Sequence, residues 1–135
     1  MQMIFLVHDE QESPSIRQNY LEAAGFQARL LTSGNQLHAA LQRETPALVL
    51  LDVLLEGKNG FEVCQDVHLK HRQRTFPLVL CTHIYRTRQF RDEALRLGAS
   101  DYLLLPMGFD DFLGRIGEVL RDFRAQEPGA ARPAA

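Results

Sequence analysis

Lysine is nearly missing from this chain: Lys58 and Lys70 are the only two among 15 basic residues, and the rest are arginine. Cysteine is as scarce. Cys64 and Cys81 both sit in apolar stretches, which excludes a disulfide framework and suits two small buried hydrophobes. No apolar run approaches the roughly 20 residues of a membrane span. The first, Met3 to Val7, has no basic start and runs at once into Asp9 and Glu10, so it does not read as a signal peptide either. A reducing cytoplasm is the expected compartment, with no membrane contact. An excess of one charge is lacking too. A formal net charge of −2 offers no nucleic-acid surface.

What is present is a regular alternation. At 135 residues the chain has room for one domain with a real core. Five short apolar runs punctuate it: MIFLV (3–7), ARLL (28–31), ALVLL (47–51), PLVLC (77–81) and YLLL (102–105). Most are continuous blocks, as strands buried on both faces should be. Between them the apolar residues recur at helical spacing. Ser13 is the expected cap of a first helix, Pro14 its first residue, and Ile16, Tyr20 and Ala24 its apolar stripe, closed by Gly25. Leu37, Ala40 and Leu41 mark a second helix, Phe61, Cys64 and Val67 a third, and Phe90, Ala94 and Leu97 a fourth. The fifth carries Phe112, Ile116, Val119, Leu120 and Phe123 on one stripe, with Asp110 and Asp111 at its start and Arg121 and Arg124 near its end. Five strand–helix units imply an α/β fold with a parallel sheet between helices. Residues 1–125 form the expected domain, and the small, Pro-containing stretch 126–135 reads as a disordered tail or linker.

Sites in open α/β sheets form beyond the carboxyl ends of the strands. Those ends carry His8, Asp9 and Glu10 after the first run, Asp52 after the third, Thr82 and His83 after the fourth, and Pro106 after the fifth. Singly, each is only a polar residue where a buried strand meets water. Together, two carboxylates and a hydroxyl could build an acidic cleft for a hard cation such as Mg²⁺, or present one carboxylate as a phosphoryl acceptor.

The blocks FLVHDE (5–10), PALVLLDVLLEGKNGFEVC (46–64), PLVLCTH (77–83) and GASDYLLLP (98–106) resemble those of response-regulator receiver domains, in order and with the family's spacing. The resemblance implies a flavodoxin-like, doubly wound sheet in the order 2-1-3-4-5 flanked by five helices. It implies that Asp52 is the phosphoacceptor, that Asp9 and Asp52 hold Mg²⁺ together with the backbone carbonyl of Leu54, and that Thr82 and Tyr102 are the switch residues. It further implies a sensor histidine kinase or another signalling protein as partner. The face of the fourth helix, fifth strand and fifth helix is the candidate homodimer surface. There Arg86, Arg88, Arg91 and Arg96 could be answered by Asp101 and Asp111.

Three positions depart from the family pattern. His8 stands where the first of two acids is usual, Leu105 where a lysine precedes the proline, and His83 where a small residue is usual. Glu56 also replaces a common proline. Losing an acid weakens a hard-cation site. Losing the lysine removes a charge-assisted contact worth roughly 1.5–3 kcal/mol. The expected function is therefore a two-component receiver module, not an enzyme, with Asp52 as acceptor and an incomplete Mg²⁺ site. The alternative is a pseudo-receiver acting through phosphorylation-independent contacts. A transition metal held by His8, Asp9, Asp52 and His83 is a further reading of the two histidines, set against a pair of solvated loop side chains. A flavodoxin-like cofactor binder would want a phosphate loop where HDEQESPS stands. A phosphohydrolase would want a general acid where Val53 and Leu54 follow Asp52.

Overall fold

The computed structural model describes residues 2–9 and 15–126. Strands β1 (Met3–Val7), β2 (Gln27–Leu31), β3 (Leu48–Asp52), β4 (Leu78–Thr82) and β5 (Asp101–Leu104) alternate with helices α1 (Ile16–Ala23), α2 (Gly34–Leu41), α3 (Gly60–Lys70), α4 (Arg88–Arg96) and α5 (Phe109–Ala125). All strand pairs are parallel, in the order β2-β1-β3-β4-β5. This is the flavodoxin-like, doubly wound arrangement expected from the sequence.

Strand alternation sorts the core into two layers. Phe5, Val7, Val49, Leu51, Leu78 and Leu80 face α2, α3 and α4, where Leu37, Val63, Cys64, Val67 and Ala94 meet them. Ile4, Leu6, Leu48, Leu50, Val79, Cys81 and Leu103 face α1 and α5, against Leu21, Phe112, Ile116 and Val119. The central strands β3 and β4 are buried throughout, which is why they read as unbroken apolar blocks. The edge strand β2 alternates in exposure instead.

Helix α1 corrects the sequence reading. Ser13 and Pro14, the expected cap and first residue, lie outside the described residues. The cap in the structure is Ser15, whose hydroxyl accepts a hydrogen bond from the Gln18 N–H at 3.1 Å. The expected stripe is also turned. Ile16 is 66% exposed, whereas Arg17 and Leu21 are the residues that α1 buries. A helix whose inward face begins with an arginine needs a buried anion to receive it, and β3 supplies one.

Candidate functional site

Asp52 ends β3 on the α1/α5 side of the sheet, at the strand end where an α/β fold places its chemistry. The loop that follows folds back tightly. The Gly60 N–H donates to the Val53 carbonyl at 2.7 Å, and a Cβ at Gly60 would lie 2.2 Å from the Asp52 carbonyl oxygen. Only glycine lets α3 start this close to the end of β3.

Asp52 does not face an open acidic cleft. Arg17 reaches it from α1 with both terminal nitrogens. Nη1 donates to Oδ1, and Nη2 donates to Oδ2 at 3.1 Å. Nη1 also donates to the Cys81 Sγ at 2.9 Å, and the Cys81 thiol donates to Asp52 Oδ1 at 3.1 Å. The side chains of Arg17 and Asp52 are 6% and 12% exposed, so the pair is held largely out of water. Burial opposes the Arg17 charge, and a thiolate at Cys81 would favour it. Burial also pushes the Cys81 thiol well above its usual range and keeps it protonated. The hydrogen-bonded Asp52 carboxylate is then the anion that holds the guanidinium charged, with its pKa above the ordinary arginine value.

His8 and His83 flank Asp52 across the sheet, following β1 and β4 as the strand order requires. Their surroundings differ. His83 is exposed. His8 is fully buried: its Nδ1 lies 2.7 Å from the Asp9 carbonyl oxygen, and its Nε2 has no hydrogen-bond partner among the described residues. His8 is therefore not the solvated loop side chain that the sequence allowed. Asp9 is exposed, as is Leu54. Among the described residues no three His, Cys, Asp or Glu side chains converge as metal ligands. Among the described residues the structure thus does not gather the transition-metal set of His8, Asp9, Asp52 and His83, and it brings no third such side chain to Asp9 and Asp52. At Asp52 both carboxylate oxygens accept from a guanidinium, so a divalent ion bound there would have to share them with that cation. As arranged, these residues do not fit a divalent ion.

Leu105 is 4% exposed and packs in the α1/α5 layer, so the missing lysine is replaced by core. Leu105 and Arg17 line one cavity of about 290 Å³, together with Ile16, Tyr20, His83 and Met107. Arg17 is the residue paired with Asp52 that sequence reasoning missed. Its signal was available, because Arg17 and Leu21 share a helical face and the family's usual cation is absent.

The candidate switch residues are both turned inward. The Thr82 hydroxyl accepts from the N–H groups of Ile84 and Tyr85 at 3.1 and 3.2 Å, which ties it to its own loop. Tyr102 is 2% exposed, stacks on Phe61 at 6.1 Å and donates its hydroxyl to the Tyr85 carbonyl at 2.7 Å. Beside it on β5, Asp101 accepts from Arg91 of α4 at 3.1 Å and from Arg115 of α5 at 2.6 and 2.8 Å. Asp101 thus braces the α4–β5–α5 face with Arg115. Arg86 donates to the Leu105 carbonyl at 2.6 Å, and Arg96 pairs with Glu93 on its own helix.

Comparison with known proteins agrees with this fold. A model of the response regulator receiver domain matches residues 4–117. The transcriptional regulatory protein GltR of Pseudomonas aeruginosa is 37% identical over 128 residues, covering 91% of this chain and 50% of that protein. RstA of Escherichia coli is 36% identical over 104 residues, covering 77% and 42%. The BeF₃-activated N-terminal receiver domain of Klebsiella pneumoniae RstA superposes with a TM-score of 0.78 at 31% identity, covering 88% of this chain and 98% of that one. A CheY-like receiver domain protein from Methanospirillum hungatei shares the fold with a TM-score of 0.81 at 21% identity, covering 93% and 98%. The chain spans about half the length of the curated relatives it matches. With the strand order, the Asp52 strand end and these matches in agreement, the chain belongs to the receiver domains of two-component response regulators.

Proposed function

We infer that this receiver takes up a phosphoryl group at Asp52 and passes the signal on by protein–protein contact, without acting as an enzyme on any other substrate. The observation that carries the reading is the position of Asp52. It ends β3, with Thr82 on the neighbouring strand end and a guanidinium already aligned on its carboxylate. A carboxylate oxygen of Asp52 attacks the phosphorus of a phosphohistidine or small acyl-phosphate donor. The bond from phosphorus to the leaving group breaks, the leaving group takes the electron pair, and an aspartyl phosphate forms. Arginine suits the product as well as the reactant, because its planar fork matches phosphate and carboxylate geometry alike.

The partner on the input side is a sensor histidine kinase, and the α4–β5–α5 face braced by Asp101 serves an output partner or a second copy of the chain. Residues 1–125 are read as the receiver unit; residues 127–135, part of the expected tail or linker, lie outside the described residues. Among the described residues no helix is long and apolar enough to cross a membrane. The phosphorylation-independent alternative gains nothing from the relatives, one of which is described as BeF₃-activated.

The test is labelling by acetyl phosphate, read by intact mass and by hydroxylamine release of the acyl phosphate. The wild type should gain one phosphoryl group and Asp52→Asn none. A wild type that takes no label from either acetyl phosphate or a phosphorylated kinase overturns the reading.

A further inference from the structure

We propose that Arg17 is a tethered cation for Asp52, and that it makes this receiver site independent of divalent ions. The proposal concerns the regulation of the site read above as the phosphoacceptor, and part of its test does not depend on that reading.

The geometry is specific. Arg17 sits on the buried face of α1, four positions before Leu21, at a place in the apolar layer where charge is costly unless matched. The match is bidentate, with a different guanidinium nitrogen on each Asp52 oxygen. A divalent ion bound to Asp52 would need at least one of those oxygens. It would also lie within a few ångströms of the guanidinium, where like charges in a water-poor site repel strongly. Two other features remove what such an ion would use or compete with. The side chain at position 8 is a buried imidazole rather than a carboxylate, and the lysine that would otherwise neutralise the site is the core residue Leu105. Arg17 and the two departures are consistent with one another. A cation stands on α1, while the first acid of the usual pair and the lysine before the proline are absent.

A tethered cation acts differently from a diffusible one. It is always present, so the resting charge of the site does not follow the Mg²⁺ concentration. It also occupies the lone pairs of the nucleophile, so a donor must displace at least one of its hydrogen bonds before attack. The same guanidinium can then turn onto the phosphoryl oxygens. The cavity beside it, bounded by Ile16, Met107 and Leu105, leaves room for that side chain to move.

The experiment is titration with Mn²⁺ alone as a paramagnetic probe, read by broadening of backbone amide resonances around residue 52. The proteins are the wild type, His8→Asp, Arg17→Met, and His8→Asp with Arg17→Met. The wild type and His8→Asp should bind weakly or not at all. The double variant should bind at least about ten-fold more tightly than His8→Asp, the direction expected when one positive charge leaves the ion's neighbourhood. If His8→Asp binds Mn²⁺ as tightly as the double variant, or if the wild type itself binds at submillimolar concentration, Arg17 is not the barrier and the proposal is overturned. Arg17→Lys, which keeps the charge, serves if Arg17→Met fails to fold, and it should bind no more tightly than the wild type. The labelling rate with acetyl phosphate provides a second readout. It should differ less than about two-fold between EDTA and saturating Mg²⁺ in the wild type, since no ion contributes to its site. A larger Mg²⁺ dependence there overturns the proposal. Absence of label in every variant would count against Asp52 as acceptor, and the Mn²⁺ titration would still decide the role of Arg17.

Discussion

Arg17 and Asp52, separated by 35 positions in the chain, meet as a buried pair in which two guanidinium nitrogens address two carboxylate oxygens. Removing one member strands the other. We predict that Arg17→Met lowers stability by about 2–4 kcal/mol, near the cost of breaking a buried pair, because Asp52 keeps only slight access to water. Arg17→Met combined with Asp52→Asn should recover at least half of that loss, since no charge is then left buried without its counter-ion. Urea denaturation of the single and double variants measures the coupling. Strict additivity would mean that the pair contributes nothing as a pair.

Leu105→Lys restores the residue usual in the family but places an ammonium in an apolar layer beside Arg17. It should cost about 2 kcal/mol or more on its own, through burial and like-charge repulsion. Part of that cost should disappear when Arg17→Met is added, because Arg17 and Leu105 line the same cavity. Thermal unfolding of the two variants checks this. An equal loss in both backgrounds would show that the two positions do not sense each other.

Tyr102 is pinned by packing and by its hydrogen bond to the Tyr85 carbonyl. Tyr102→Phe should cost about 1 kcal/mol, the usual net value of one such bond. Burial pushes the Tyr102 phenol up to about 12. Because the folded pKa is raised above the ordinary 10.0, its contribution to stability is complete below pH 10 and is lost as pH rises toward 12. Spectrophotometric titration should show one phenol ionising late, and Tyr102→Phe should remove that component. Crystal structures with and without a phosphoryl mimic should place Tyr102 inward in both. An outward ring in the liganded state would contradict this.

Asp101 gives the opposite sign. Burial opposes its charge, but hydrogen bonds from Arg115 and from the Tyr102 N–H outweigh that and hold its carboxyl below the ordinary 3.8. A depressed carboxyl stabilises the fold above its unfolded pKa, and this contribution is lost as pH falls through 3.8 and below. In Asp101→Asn the acid limb of the stability profile should be shallower, while at neutral pH the variant should be less stable by about 1–3 kcal/mol. Urea midpoints between pH 3 and 7 provide the comparison. Parallel profiles would remove Asp101 as a titrating brace.

Most of the fold was legible because buried parallel strands write themselves as apolar blocks. β3 and β4 were placed to within one residue, and the α5 stripe of Phe112, Ile116 and Val119 is the face that it buries. Asp52 and Thr82 were legible as strand ends, and Tyr102 through the family resemblance of the fifth apolar run. It was not legible on α1. Reading hydrophobicity alone favours Ile16 over Arg17 as the inward residue, and only a partner far along the chain reverses that choice. His8 was misjudged for a related reason. A histidine at a strand end looks solvated, yet here it continues the buried side of β1 beyond Leu6. Asp101 and Asp111 were expected to answer the α4 arginines; Asp101 does so through Arg91 and also takes Arg115 of α5, while Asp111 is exposed.

The most direct test is fluorine NMR of beryllofluoride with the wild type and Asp52→Asn, each with and without Mg²⁺. Beryllofluoride binds through a carboxylate oxygen as the phosphoryl group does, and so reports whether Asp52 can be reached past Arg17. We predict a bound fluorine signal in the wild type, unchanged in occupancy by Mg²⁺, and none in Asp52→Asn. No bound signal in the wild type, or one that survives in Asp52→Asn, would contradict the assignment of Asp52 as the acceptor.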